Sequence, residues 1–322
     1  MTMVEETLST AAAMKGATAG ADRADVGPVA PSPSVGHHLL RGRAVLARAA
    51  VYASLALMAL AVLYPLAWVA AASLKTDADL FQHPFGLPHL HHLQWGNFGR
   101  AWITGHFGDY FFNSVVVTII TVTLTTLLSA MAAYALSRFQ FRFGKPIFYL
   151  FLAGLMLPLQ QVIIPLFFEM RDLHLLNTRL GLILAYLALG LPFGIFVMTG
   201  FFKTLPASVY ESALVDGAGE LRAFWSIMLP IARPGLMTVA IFSFLGIWNE
   251  YLVAFMLISG KGSASLRTLP LGLANMSIAG QYRSDWGMAF AGLVLMLTPT
   301  LAVCLTLQKY ITKGLTAGAV KG

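Results

Sequence analysis

The sequence predicts an all-α integral membrane protein with six transmembrane helices, on three observations. Of its 322 residues, 57% are hydrophobic and only 11% are charged, where a soluble domain carries about 25% charged residues. Its mean hydropathy is +0.73. Six apolar stretches are each long enough to span, a helix needing roughly 17–25 predominantly apolar residues. None alternates in the ten-residue manner of a membrane barrel strand.

Those stretches run Ala47–Ser73, Tyr110–Ser137, Pro146–Phe168, Leu180–Phe202, Leu236–Ser259 and Trp286–Leu307. The residues before them differ in kind. Positions 1–44 are rich in Ala, Gly, Ser and Pro, carry scattered charges of both signs and show no periodicity. Such a composition cannot bury a core, and it lacks the apolar run and cleavage site of a signal peptide. The expected organisation is therefore a disordered tail (1–44), a six-helix membrane domain (45–313) and a short C-terminal tail (314–322).

Orientation follows from the basic residues. Of the 21 Lys and Arg, fourteen fall on the side of both termini, among them Arg41, Arg43, Arg48, Arg138, Arg142 and Lys145. Seven fall on the other, including Lys75, Arg100, Arg171 and Arg179. Positive charge is retained in the cytoplasm, so both termini are expected there. The net charge of +7 has the same origin. No basic patch interleaved with aromatics is present, and nucleic acid is not an expected partner. The single cysteine, Cys304, excludes an intrachain disulfide.

The largest external loop, about Leu74 to Asp109, holds Phe81, Phe85, Trp95, Phe98 and Trp102, and amphipathic aromatics favour the membrane–water interface. His83, His89, His91 and His92 lie in the same loop. With no cysteine and no regular spacing they do not make a metal site.

One polar segment stands out between the fourth and fifth spans: Glu211-Ser212-Ala213-Leu214-Val215-Asp216-Gly217-Ala218, then Phe224, Ile227, Leu229-Pro230 and Pro234. Pro206 suits a first helical turn and Gly217 a left-handed helix end. A short helix over about Pro206–Asp216 is expected. A second follows from Glu220, with Leu221, Phe224, Ile227 and Met228 on one face, ending at Leu229-Pro230. The pair makes a small knob on the cytoplasmic side.

This segment resembles the EAA loop of bacterial ABC importer permeases, E-A-A-x-x-D-G-A-x5-F-x-x-I-x-L-P-x3-P, departing from it only at Ser212. Further resemblance to the maltose-type, carbohydrate branch lies in Trp248-Asn249-Glu250-Tyr251, in Asn177-Thr178 with Gly181-Leu182-Ile183, and in the ending Gln308 to Gly322. It covers roughly residues 45–322. The resemblance implies the permease subunit of an ATP-driven sugar importer, and an oligosaccharide in particular. Its implied partners are a second homologous permease, two ATP-binding subunits, an extracytoplasmic solute-binding protein and membrane lipid. It also implies a coupling-helix loop in which Glu211, Ser212, Ala213, Asp216, Gly217, Ala218, Phe224, Leu229 and Pro230 serve ATPase coupling. Gly314, Gly318 and Lys321 are implied as tail contacts with the same partner.

The chain itself is expected to be no enzyme and to bind no cofactor, ATP and Mg residing on the partner subunits. No G-x4-G-K-[ST] phosphate loop occurs in it. Asn249 and Glu250 form a polar pair inside an apolar span, where a charge costs at least about 2.5–3.5 kcal/mol. They line the substrate path or gate, or else join helices within the bundle. Pro158, Pro165, Pro192 and Pro299 are expected to interrupt their helices. The hydroxyls of Thr118, Thr121, Thr123, Thr125, Thr126 and Ser129 are expected to bond their own helix backbone rather than line a path. An ion-coupled secondary transporter is the alternative from another class, and it has only one intramembrane acid and no internal repeat to support it. A glycerol-phosphate importer is the alternative within the family.

Overall fold

Apolar residues at near-continuous density become helix nearly everywhere in the computed structural model, which describes residues 35–319 except 261 and 280–284. No strand occurs among the described residues. They fall into two compact units that meet between Leu63 and Tyr64, within the first helix α1 (Val35–Ala72). In the first unit, the apolar side chains from Leu46 to Leu63 are exposed, as suits a helix whose solvent is lipid. The expected tail at 1–44 lies mostly outside the described residues, and its last ten residues are not irregular but form the start of α1.

The second unit is built on α4 (Phe107–Arg138) and α7 (Arg179–Thr204), the two helices most extensively packed on each other. Around them stand α10 (Arg233–Trp248), α12 (Leu269–Ala279) and α13 (Trp286–Ala319). The outer loop folds into α2 (Asp77–Gln82) and α3 (Gly96–Ile103). Three apolar clusters are strung along α4. One surrounds Phe107 and Tyr110, one Val117, and one Ala130, Ala133 and Tyr134.

Among the described residues, four helices are long and apolar enough to cross a membrane, and the count rises to six if each of two bent pairs is one span. The third expected span is such a pair. It splits into α5 (Gly144–Leu155) and α6 (Leu159–Asp172), bent by 106°. At 1.5 Å per residue these are roughly 18 and 21 Å long, short of a ~30 Å hydrocarbon core. Pro158 explains the break: it has no N–H, and it adopts an extended ψ of 138° ahead of α6. The other prolines behave differently from expectation. Pro165, Pro192 and Pro299 lie inside helices that continue past them.

The fifth span is not one helix either. It stops at Trp248, and after a break at Asn249-Glu250-Tyr251 a short helix α11 (Leu252–Leu257) follows. The segment after α11, between the fifth and sixth expected spans, contains α12, whose Leu269 and Leu271 are buried. It is docked by polar groups of α4. Ser114 Oγ accepts from the Leu269 N–H at 2.7 Å, and Asn113 Nδ2 donates to the carbonyls of Ser265 and Arg267. Gly272 lies so close to the Tyr110 ring that a Cβ there would overlap it.

The hydroxyl stripe also differs from expectation. The buried hydroxyls of Thr121, Thr125, Thr126 and Ser129 make no hydrogen bond to a described residue. Thr125 and Ser129 are instead pressed against Gly190 and Gly194 of α7. These two glycines serve close helix contact rather than helix bending. In the outer loop Phe81, Phe85, Trp95 and Trp102 are exposed. Asn97 is buried there and donates to the carbonyls of Ser73 and Lys75, fixing the start of the loop on the end of α1.

Candidate functional site

The loop after α7 folds as two short helices, α8 (Ala207–Val215) and α9 (Glu220–Ile231). Pro206 stands one residue before α8, at its N-cap position, with φ −55° and ψ 134°. The other end is a six-residue closure. Ala218 N–H donates to Ala213 O, and Gly217 N–H to Leu214 O, both at 3.0 Å. Gly217 sits between them at φ +80°, which is the Schellman arrangement that glycine favours. A Cβ at Gly217 would meet nothing within 4 Å, so its requirement is conformational. Gly217→Ala is expected to cost about 1 kcal/mol through the left-handed φ alone. Faster amide hydrogen exchange over residues 207–215 is the measurement that checks it.

The expected coupling residues separate into two groups. Glu211, Ser212, Asp216 and Gly217 are exposed, and Ala218 is half-buried. Ala213 and Phe224 are buried at 4% exposure, while Leu229 and Pro230 are half-buried. Of these, Phe224 joins Met228 in one cluster with Ala133, Tyr134, Met198 and Phe202, and Leu229 packs against it, which holds α9 on the bundle.

Two details of α9 correct the sequence reading. Leu221 is 76% exposed and belongs to no buried face. Leu229-Pro230 does not end the helix, which runs on to Ile231 and turns only at Ala232. The reason is a π turn over Phe224–Met228, in which Leu229 N–H reaches back five residues to Phe224 O. That longer reach opens the turn just ahead of the proline ring. Beyond Ala232, α10 leaves at 74° to α9.

Four polar side chains to which the sequence gave no part in coupling meet behind α8: Glu220, Tyr210, Tyr134 and Arg138. Glu220 Oε1 accepts from the Tyr210 hydroxyl at 2.7 Å, and Oε2 accepts from the Tyr134 hydroxyl at 3.2 Å. Arg138 Nη2 donates to the carbonyls of Phe202 and Leu205 at the end of α7, and its guanidinium lies 5.8 Å from the Tyr210 ring centroid. Burial, and then the hydrogen bond to Glu220, pushes the Tyr210 phenol above its ordinary pKa. It therefore remains a donor throughout the physiological range. These residues are distant in sequence and belong to no motif, so only the fold brings them together.

At the α10–α11 break, Glu250 accepts from three donors: Val253 N–H at 2.8 Å, Ala254 N–H at 3.2 Å and the Tyr186 hydroxyl at 2.7 Å. Asn249 is exposed, and its side-chain amide donates to Leu245 O one turn back. Of the pair, Glu250 is occupied with structure and Asn249 is open. Gly314 and Gly318, in the expected C-terminal tail, lie within α13, which continues to Ala319. Lys321 lies outside the described residues.

A family model described as "Binding-protein-dependent transport system inner membrane component" matches residues 125–317, a stretch that holds both the knob and the α10–α11 break. The chain belongs to this family. The permease is 41% identical over 270 residues to the diacetylchitobiose uptake system permease protein NgcG of Streptomyces coelicolor, covering 84% of this chain and 88% of that one. It is 32% identical to the trehalose transport system permease protein SugB of Mycobacterium tuberculosis, covering 81% and 93%. To the sulfoquinovosyl glycerol transport system permease protein SmoH of Agrobacterium fabrum it is 34% identical, covering 81% and 89%. Among solved structures, it resembles a chain of a bacterial ABC transporter that imports the acidic polysaccharide alginate. That match has a TM-score of 0.70 at 25% identity and covers 88% of the permease and 99% of that chain. Membership sets aside the ion-coupled secondary transporter: the permease is a membrane subunit of a binding-protein-dependent system.

Proposed function

We propose that the permease forms half the translocation path of an ATP-driven carbohydrate importer, with a short oligosaccharide as its solute. The names of its relatives support this, since diacetylchitobiose, trehalose and starch degradation products recur among them. They favour a sugar over glycerol-phosphate. A second homologous permease completes the path, an extracytoplasmic binding protein delivers the solute, and two ATP-binding subunits supply the energy. The permease carries no cofactor and no ATP site of its own. Both termini lie in the cytoplasm, and Gly314, Gly318 and Lys321 approach the ATPase.

The observation that carries this reading is the α8 knob. It offers Glu211, Ser212 and Asp216 outward, closed by Gly217 in its left-handed turn, at the end of the bundle where Arg138 and Lys203 also lie. Two carboxylates on an exposed short helix suit polar and basic groups in a cleft on an ATPase. Ala213 is the one buried residue of α8, and Phe224, Leu229 and Pro230 act from behind through α9.

Co-purification tests it. The detergent-solubilised permease is expected to hold its ATPase subunits, and Glu211→Arg is expected to reduce the complex at least tenfold by reversing charge at the contact. A complex indifferent to that change would remove α8 as the docking element.

A further inference from the structure

The docking helix is held to the rest of the permease by little apolar packing. Of the residues of α8, only Ala213 is buried. A helix meant to carry a mechanical signal needs a firmer attachment than one methyl group, since each such contact contributes only about 1 kcal/mol. α9 is anchored differently, burying Ala223, Phe224 and Met228. The attachment of α8 must therefore come from polar and aromatic groups around Tyr210.

These converge on one carboxylate. Glu220, at the start of α9, takes the Tyr210 hydroxyl of α8 on one oxygen and the Tyr134 hydroxyl of α4 on the other. Three helices thus meet on one side chain. The rings reinforce the geometry: Tyr134 lies 6.2 Å from Tyr210 and 5.0 Å from Phe224, centroid to centroid. Arg138 closes the far side, its guanidinium by the Tyr210 ring and its Nη2 on the last carbonyls of α7. Glu220 is itself exposed, yet hydrogen bonds to an ionised carboxylate are the stronger kind; the Tyr210 bond at 2.7 Å is the short one, and the Tyr134 bond at 3.2 Å is the weaker. Here they are also directional, because each oxygen is committed to a different helix.

We propose that Glu220 is a positioning residue for transport: by clamping Tyr210 to Tyr134 it makes α8 move as one body with α4. Displacement of α8 by a closing ATPase then reaches the bundle through α4, the helix that runs past all three apolar clusters. The inference rests on the reading of α8 as the ATPase-docking helix. Without the clamp, α8 still presents Glu211, Ser212 and Asp216 and still binds, but swings without carrying α4.

Two readouts test this, neither of which requires the solute to be known. The first is amide hydrogen exchange across residues 207–215 of the full chain in lipid nanodiscs. Glu220→Ala is expected to speed exchange there at least about fivefold, for two lost charge-assisted bonds. Tyr210→Phe and Tyr134→Phe, each removing one hydroxyl and leaving the ring, have smaller effects. Neither adds to Glu220→Ala when combined with it, as expected of groups in one network. Unchanged exchange in α8 overturns the clamp.

The second readout is the change in exchange at residues 248–252 when ATP is added to the complex with its ATPase subunits. Glu220→Ala is expected to retain those subunits within about twofold of wild type while cutting the ATP-driven change at least threefold. If α8 loosens but the ATP response persists, the transmitting role is overturned although the clamp stands. If the wild-type permease binds no ATPase subunit, the docking reading itself fails, and transmission with it. The three failures are thus distinct.

Discussion

Glu250→Ala is expected to abolish transport and to cost about 2–4 kcal/mol of stability. Two of the three groups donating to Glu250 are the leading N–H groups of α11. Such groups have no partner within their own helix, and losing a cap of this kind costs about 0.5–2 kcal/mol. The third donor is the Tyr186 hydroxyl, on a residue only 4% exposed. Stranding a buried hydroxyl costs a further ~1–3 kcal/mol. The environment raises rather than lowers these figures, since the hydrocarbon region offers no water to replace a lost acceptor.

Substitutions of graded severity distinguish this from a generic loss of charge. Glu250→Gln keeps one carbonyl oxygen, which can replace the Oε2 that accepts from both Tyr186 and Ala254 but leaves the Val253 N–H without the acceptor it has in Oε1, so a smaller loss than in Glu250→Ala is expected. Tyr186→Phe removes one partner while leaving the α11 cap intact, at a cost of about 1 kcal/mol. Asn249→Ala removes only a back-bond to Leu245 on an exposed residue and is expected within about 0.5 kcal/mol of wild type. Thermal unfolding in nanodiscs ranks the four for stability, and uptake into proteoliposomes ranks them for function. A large uptake defect in Asn249→Ala without a stability defect would place Asn249 on the path. A stable Glu250→Ala protein would end the capping account.

How far the sequence disclosed this depends on how local each signal is. Span positions were legible, because twenty apolar residues in a row leave few alternatives. The knob was legible as well, since Pro206 and Gly217 act on their own backbone and their consequences need no distant partner. The breaks were less so. Pro158 and Pro192 look alike in sequence, yet one parts two helices by 106° and the other is absorbed within α7. The difference is set by what packs alongside, as with Gly154, which lies against Pro192. Glu250 was visible as an intramembrane charge but not as a helix cap, because nothing local marked Trp248 as a helix end. Glu220 was not visible at all: its meaning depends on Tyr134, 86 positions away. α12 escaped notice because its burial comes from docking on Asn113 and Ser114, not from its own length.

The tightest approach between α4 and α7 gives the other large expectation. At Gly194 an added Cβ would collide with Ser129 Oγ and crowd Val239, and both residues of the pair are buried. Gly194→Val is expected to destabilise the permease by about 3 kcal/mol or more. It forces a branched side chain into a packed interior, where even single methylenes cost about 1–3 kcal/mol. The partner side is unusual in having nothing to lose. Ser129 is fully buried, and its hydroxyl has no hydrogen-bond partner, so Ser129→Ala forfeits no bond and is expected to be neutral or slightly stabilising. Ser129→Gly in turn makes room. The double variant Gly194→Ala with Ser129→Gly is therefore expected to recover much of what Gly194→Ala loses, despite the second glycine in a helix, which alone costs ~1 kcal/mol. Thermal midpoints of the four proteins form a double-mutant cycle, and a coupling of at least about 1 kcal/mol is expected. Additivity would mean that α4 and α7 separate freely, and α7 would then be no rigid neighbour for the helix to which the α8 knob is clamped.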